Sequence, residues 1–151
     1  MRVALLFCTL IALASCAPTP RGVRDTDVTM NAVVGVADTR LTGDWIEVAA
    51  IGRTPGGSWS ITASPDGGLI VTGPDGVGRG SLGPTGRLTL STFLEPLFLL
   101  WIDADDRTAV LGTRSGAPAI VLDRRAALPA DRAKAVRDIL DWNGYDLSQL
   151  R

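Results

Sequence analysis

The chain has 151 residues, a formal charge of −1, no histidine and two cysteines. Near-neutral charge without a basic stripe excludes an electrostatic nucleic-acid binder. The missing histidine removes Ser-His-Asp and Cys-His catalysis, His-ligated zinc and a histidine pH switch. Both cysteines, Cys8 and Cys16, lie near the start, so neither builds a disulfide framework for a folded domain.

Met1-Arg2 is a short basic start, and 3–14 is an apolar run. Spanning a hydrocarbon core takes about 20 residues, so this run has the size of a signal-peptide apolar region instead. Leu13-Ala14-Ser15-Cys16 then resembles the lipobox of bacterial lipoproteins. That resemblance implies cleavage before Cys16, loss of Cys8 with the leader, and lipidation of Cys16 with acyl chains such as palmitate. Several chains on one residue anchor a protein to a membrane stably, where one holds it marginally. Ala17, rather than Asp, follows the cysteine; by resemblance to lipoprotein sorting in two-membraned bacteria, this implies an outer-membrane lipoprotein with its domain facing the periplasm. The expected division is a signal peptide over 1–15, lipidated Cys16 with a flexible tether over 16–35, and a folded domain over 36–151.

The remainder reads as short strands joined by Gly and Pro turns. The first strand is expected over 44–51, with Trp45, Glu47, Ala49 and Ile51 on one face and Ile46, Val48 and Ala50 on the other. Thr54-Pro55-Gly56-Gly57 turns the chain into a second strand over 58–64, whose alternation puts Trp59, Ile61 and Ala63 inward. Asp66-Gly67-Gly68 signals a hairpin into a third strand over 69–72, and Pro74-Asp75-Gly76 leads to a fourth over 77–82. Leu88, Leu90 and Thr92 share a face of the fifth. A sixth over 97–102 is apolar on both faces, and a seventh over 108–113 and an eighth over 117–122 follow short turns. A helix over 129/130–142 carries Ala133, Val136, Ile139, Leu140 and Asn143 on one stripe, with Asn143-Gly144 suited to its end. Eight strands with short connections describe an all-β, up-and-down antiparallel barrel, just wide enough to be filled by side chains or to hold one small ligand. The helix packs on its outside.

Three motifs carry a resemblance to the lipocalins, in particular their bacterial membrane-anchored branch, over roughly 36–150. They are Gly43-Asp44-Trp45-Ile46-Glu47-Val48-Ala49; Ile102-Asp103 with Ala109-Val110-Leu111-Gly112; and Ile120-Val121-Leu122-Asp123-Arg124 with a closing Gly144-Tyr145-Asp146. The resemblance implies that Gly43, Trp45 and Arg124 form the barrel's closed base, with the guanidinium stacked on the indole. It also implies a lipid or other small hydrophobic ligand. Strand alternation then offers Glu47 as a polar handle and Trp59, Ile61, Leu88, Leu90, Leu99 and Trp101 as apolar walls; Glu47 equally suits a structural carboxylate paired with an interior Arg or hydroxyl. The first connection is shorter than the loop that normally covers a lipocalin mouth, which leaves an open cup or a barrel filled by its own side chains. The filled barrel is the alternative function: a structural or assembly lipoprotein engaging an envelope partner.

Other chemistry finds little footing. Gly78-Arg79-Gly80-Ser81-Leu82-Gly83 matches the spacing of a dinucleotide loop but precedes a strand, not a helix. Asp103, Asp105 and Asp106 lack the Gly and distal Glu of a calcium loop and read as solvated turn acids. No cofactor, metal or catalytic residue is expected, and the chain is not read as an enzyme.

Overall fold

The computed structural model describes residues 22–151; Cys8, Cys16 and the expected leader lie outside them. Eight antiparallel strands close into a barrel in sequence order. They are β1 (Gly43–Ile51), β2 (Ser58–Ala63), β3 (Leu69–Gly73), β4 (Gly76–Leu82), β5 (Arg87–Leu90), β6 (Leu97–Ile102), β7 (Thr108–Gly112) and β8 (Ala119–Asp123). Helix α1 (Ala130–Trp142) follows, and a 3-10 turn, Asp38–Leu41, precedes β1. Each strand meets the next through a short connection, and β1 pairs with β8 to remove the sheet's edges.

Two apolar layers result. The barrel interior holds Trp45, Trp59, Ile61, Leu69, Val71, Leu88, Leu90, Leu97, Leu99, Leu111, Ile120 and Leu122. Between the wall and α1 lie Ile51, Phe98, Leu100, Val110, Val121, Val136, Leu140 and Tyr145. β6, β7 and β8 feed both layers, which is why they read as apolar on both faces.

Two bulges correct the simple alternation. The β1–β8 register shifts between Glu47 and Ala49. Val48 and Ala49 therefore both face the outer layer, Ala50 pairs with interior Ile120, and Ile51 joins the outer cluster. The β6–β7 register shifts between Leu99 and Trp101. Leu100 and Trp101 both turn outward, and Ile102 returns to the interior. One extra residue reverses the parity of all that follow. Trp101 is thus not a wall of the interior. At the end of β2, Ala63 is exposed although its pair Leu69 is buried.

The expected flexible tether also needs correcting over its described part. Arg24 is buried and donates to the carbonyls of Asn143 (Nε, 2.7 Å) and Arg114 (Nη1, 3.1 Å) and to that of Val28. Asn31 N–H donates to Asn143 Oδ1 at 2.7 Å, Val33 N–H to Leu99 O at 2.9 Å, and Gly35 N–H to Pro84 O at 2.8 Å. Backbone groups that find partners on the barrel make 24–35 part of the domain.

The Gly-rich stretch of β4 serves packing. Gly78 and Gly80 pair with interior-facing Val71 and Leu69, and a Cβ on Gly80 would fall 1.8 Å from Thr89 O. Only glycine lets β4 and β5 approach so closely.

Candidate functional site at the barrel mouth

The barrel has two unlike ends. At the closed end, Trp45 is buried and its indole Nε1 donates to Leu41 O at 2.7 Å. The Arg124 guanidinium lies over the ring, 3.5 Å from its centroid. Its nitrogens donate to Asp44 O (2.9 Å), Thr42 O (2.9 Å) and Asp106 O (3.0 Å). One planar fork thereby ties the start of β1 to the turn before β7, a task suited to guanidinium geometry. Gly43 makes room: its φ is +103°, and a Cβ there would sit 2.8 Å from Arg124 Nη1. Burial lowers the Arg124 pKa, with Asp106 foremost among the acids that oppose the shift. Asp106 adopts a left-handed φ of 56° and accepts from Arg40 Nε at 2.6 Å. Asp103 Oδ1 accepts from Thr108 N–H at 2.9 Å, so the acids of this turn organise it.

The other end gathers the β1–β2, β3–β4, β5–β6 and β7–β8 loops around a pocket of about 390 Å³. Phe93, Leu94, Ala117 and Pro118 give it an apolar side, and Arg53, Asp75 and Glu95 a charged one. Phe93 stacks on Trp59 with ring centroids 6.2 Å apart, so the buried Trp59 ring lies directly behind the mouth's apolar side.

Beneath the mouth, Glu47 is buried. Its Oε2 accepts from Trp59 Nε1 at 3.1 Å, and its Oε1 lies 3.0 Å from Arg53 Nε in an ion pair without hydrogen-bond alignment. Arg53 Nη1 also donates to Asp75 Oδ2 at 2.7 Å. Desolvation raises the Glu47 pKa; the Trp59 hydrogen bond and then the Arg53 charge oppose the shift. Glu47 is therefore a carboxylate paired with an arginine from the β1–β2 loop.

Of the expected ligand walls, Trp59, Ile61, Leu88, Leu90 and Leu99 converge inside the barrel, where each is 5 % exposed or less. They fill it against one another. Trp101 sits in the outer layer. Sequence reading missed Arg53, Asp75, Phe93, Leu94 and Glu95, which the mouth loops supply. The available signal was Phe93-Leu94, two large apolar residues between the polar Ser91-Thr92 and Glu95. Buried Asp123 was missed as well; it accepts from Thr108 Oγ1 at 2.6 Å and faces Arg132 Nε at 3.5 Å.

A closed eight-stranded up-and-down barrel with an arginine-capped base and a carboxy-terminal helix is the lipocalin fold. Solved structures with the same fold include insecticyanin from the tobacco hornworm Manduca sexta, at 12% identity over 82% of each chain and a TM-score of 0.62. They also include the siderocalin Ex-FABP, described as functioning through dual ligand specificities, at 14% identity over 74% of this chain and 91% of that one, with a TM-score of 0.55. Both are lipocalins. No protein-family model and no curated protein sequence matches the chain.

Proposed function

We propose that this protein is a membrane-anchored, lipocalin-like binder of a small amphipathic molecule, and that the ligand sits in the mouth. The observation that carries the reading is the pocket itself: an apolar side of Phe93, Leu94, Ala117 and Pro118 facing a charged side headed by Arg53. Small-molecule sites combine apolar walls with a few placed polar groups in this way. An acyl or ring portion lies against Phe93 and Leu94, and a polar head group meets the charged side formed by Arg53, Asp75 and Glu95. The lipobox-like Leu13-Ala14-Ser15-Cys16 supports anchoring through Cys16, and Ala17 supports an outer-membrane location.

A second reading, a structural or assembly lipoprotein engaging an envelope partner, is favoured by the filled interior below Trp59. Native mass spectrometry of the full chain carrying Cys16→Ser, purified from cells, separates the two. Retention of a lipid-sized adduct that is lost in Phe93→Ala supports the binder. A bare protein that also takes up no fatty acid or lysophospholipid at micromolar concentration overturns it in favour of the second reading.

A further inference from the structure

We infer that the barrel mouth faces the bilayer that holds the anchor, with Leu94 and Trp142 dipping into the head-group region. The inference rests on the reading of Cys16 as lipidated and adds an orientation to it.

Chain exit is the first observation. The described chain begins beside the β7–β8 loop, at the mouth end. A Cβ on Gly116 of that loop would lie 2.6 Å from Arg24 Cβ and 2.9 Å from Val23 Cγ2, and Val23 O accepts from Asp146 N–H at 3.0 Å. Six residue steps separate Cys16 from Gly22, a reach of at most about 20 Å when fully extended. The nine residues of β1 run about 30 Å along the strand, hence roughly 25 Å between the barrel's ends once strand tilt is included. Starting from the mouth end, so short a connection does not carry the closed end to the membrane surface.

Where the exposed apolar side chains fall is the second. The exposed large apolar residues among those described are Val34, Val77, Leu94 and Trp142. Val77 follows the β3–β4 turn and Leu94 lies in the β5–β6 loop, both at the mouth. Helix α1 starts near the closed end, where Arg132 pairs with Asp103 and Asp123. It climbs to the mouth end, where the Tyr145 hydroxyl meets Thr113, so Trp142 at its last turn belongs to that end too. Val34 alone lies toward the closed half, between Val33 and the Gly35 that bonds Pro84 O. A single exposed apolar residue means nothing, but three at the end where the tether leaves form an interfacial set. Trp is the residue that settles at head-group depth. Charges of both signs stand at this end, Asp25 and Asp141 near the chain exit and exposed Arg114 and Arg151 beside the mouth loops, so the contact rests on apolar insertion rather than on attraction to anionic lipid.

Such an orientation places the ligand site against the leaflet, so that an amphipathic molecule passes between bilayer and mouth without crossing water. The test uses the lipidated full chain in phosphatidylethanolamine–phosphatidylglycerol vesicles, with a nitroxide on Leu94→Cys or on Val34→Cys. Both substitutions are at exposed positions. The expected result is a several-fold fall in collisions of the Leu94 label with an aqueous nickel complex on vesicle binding, a rise in its collisions with lipid-dissolved oxygen, and no change at Val34. Trp142 emission is expected to be quenched by bromolipids, and that component to vanish in Trp142→Phe. Vesicle-bound protein whose Leu94 label stays as open to nickel as in solution, or whose Val34 label is the protected one, overturns the orientation and leaves the anchor intact. Protein that fails to sediment with the vesicles overturns both.

Discussion

The Arg124 guanidinium lies over the Trp45 indole, 3.5 Å from the ring centroid, while its three nitrogens donate to the backbone carbonyls of Asp106, Asp44, Thr42 and Arg40. One side chain thus seals the barrel base by stacking and by hydrogen bonding together. Trp45→Ala is expected to cost about 3–5 kcal/mol, the usual range for emptying a buried aromatic site. Arg124→Ala removes a cation–π contact of about 0.5–2 kcal/mol and the three donors as well. Arg124→Lys is expected to recover little, since a single ammonium does not reproduce the fork. Urea denaturation of the three variants checks the order.

Glu47 makes stability depend on pH in an unusual direction for a paired carboxylate. Desolvation raises its pKa in the folded state above the ordinary 4.5, so the native state binds its proton more readily than the unfolded chain. Stability contributed at this site is greatest below the unfolded value and falls as pH rises from about 4.5 through the raised one. In Glu47→Gln this part of the slope disappears. Urea midpoints measured from pH 4 to 8 are expected to show the gap between wild type and variant moving against the wild type with rising pH. An unchanged gap contradicts the assignment.

Ligand entry at the mouth is expected to alter Trp59 fluorescence, because that ring stacks on Phe93, which lines the pocket. Trp45 lies at the sealed base and Trp101 in the outer layer, so both stay silent. Single-Trp variants titrated with fatty acids and lysophospholipids report this directly. Phe93→Ala is expected to weaken binding about tenfold, the loss of roughly 1.4 kcal/mol of aromatic contact.

Gly80→Ala is expected to destabilise the barrel by about 1–3 kcal/mol or more, as overpacking does. The new Cβ would meet Thr89 O at 1.8 Å, so β4 and β5 must separate. A loss of thermal stability with no change in nucleotide binding is the outcome that assigns this Gly-rich stretch to packing.

Cys16→Ser is expected to move the protein from the membrane fraction to the soluble fraction. Fractionation with an antibody to the domain measures it, and unchanged membrane association contradicts lipidation at Cys16.

Much of the fold was legible in the sequence because its signals are local. The period-2 pattern of Trp59 and Ile61, the turn residues at Asp66-Gly67-Gly68, and Pro129 and Gly144 flanking α1 specify their segments without distant partners. The base pair of Trp45 and Arg124 was readable only through resemblance, since 79 positions separate them and nothing local joins them. Three matters were decided in three dimensions. The bulges at Val48 and Leu100 turned Ile51 and Trp101 outward; an inserted residue leaves no mark in an unbroken apolar run, and every later side chain changes face. Glu47 found its partner in Arg53, six residues on in a turn, because closing the β1–β2 hairpin folds that loop back over the mouth. Finally, 24–35 became part of the domain because its N–H groups and the Arg24 side chain are satisfied by Asn143, Leu99 and Pro84. Those partners are up to 119 positions away, brought within reach only once the barrel and its helix have closed.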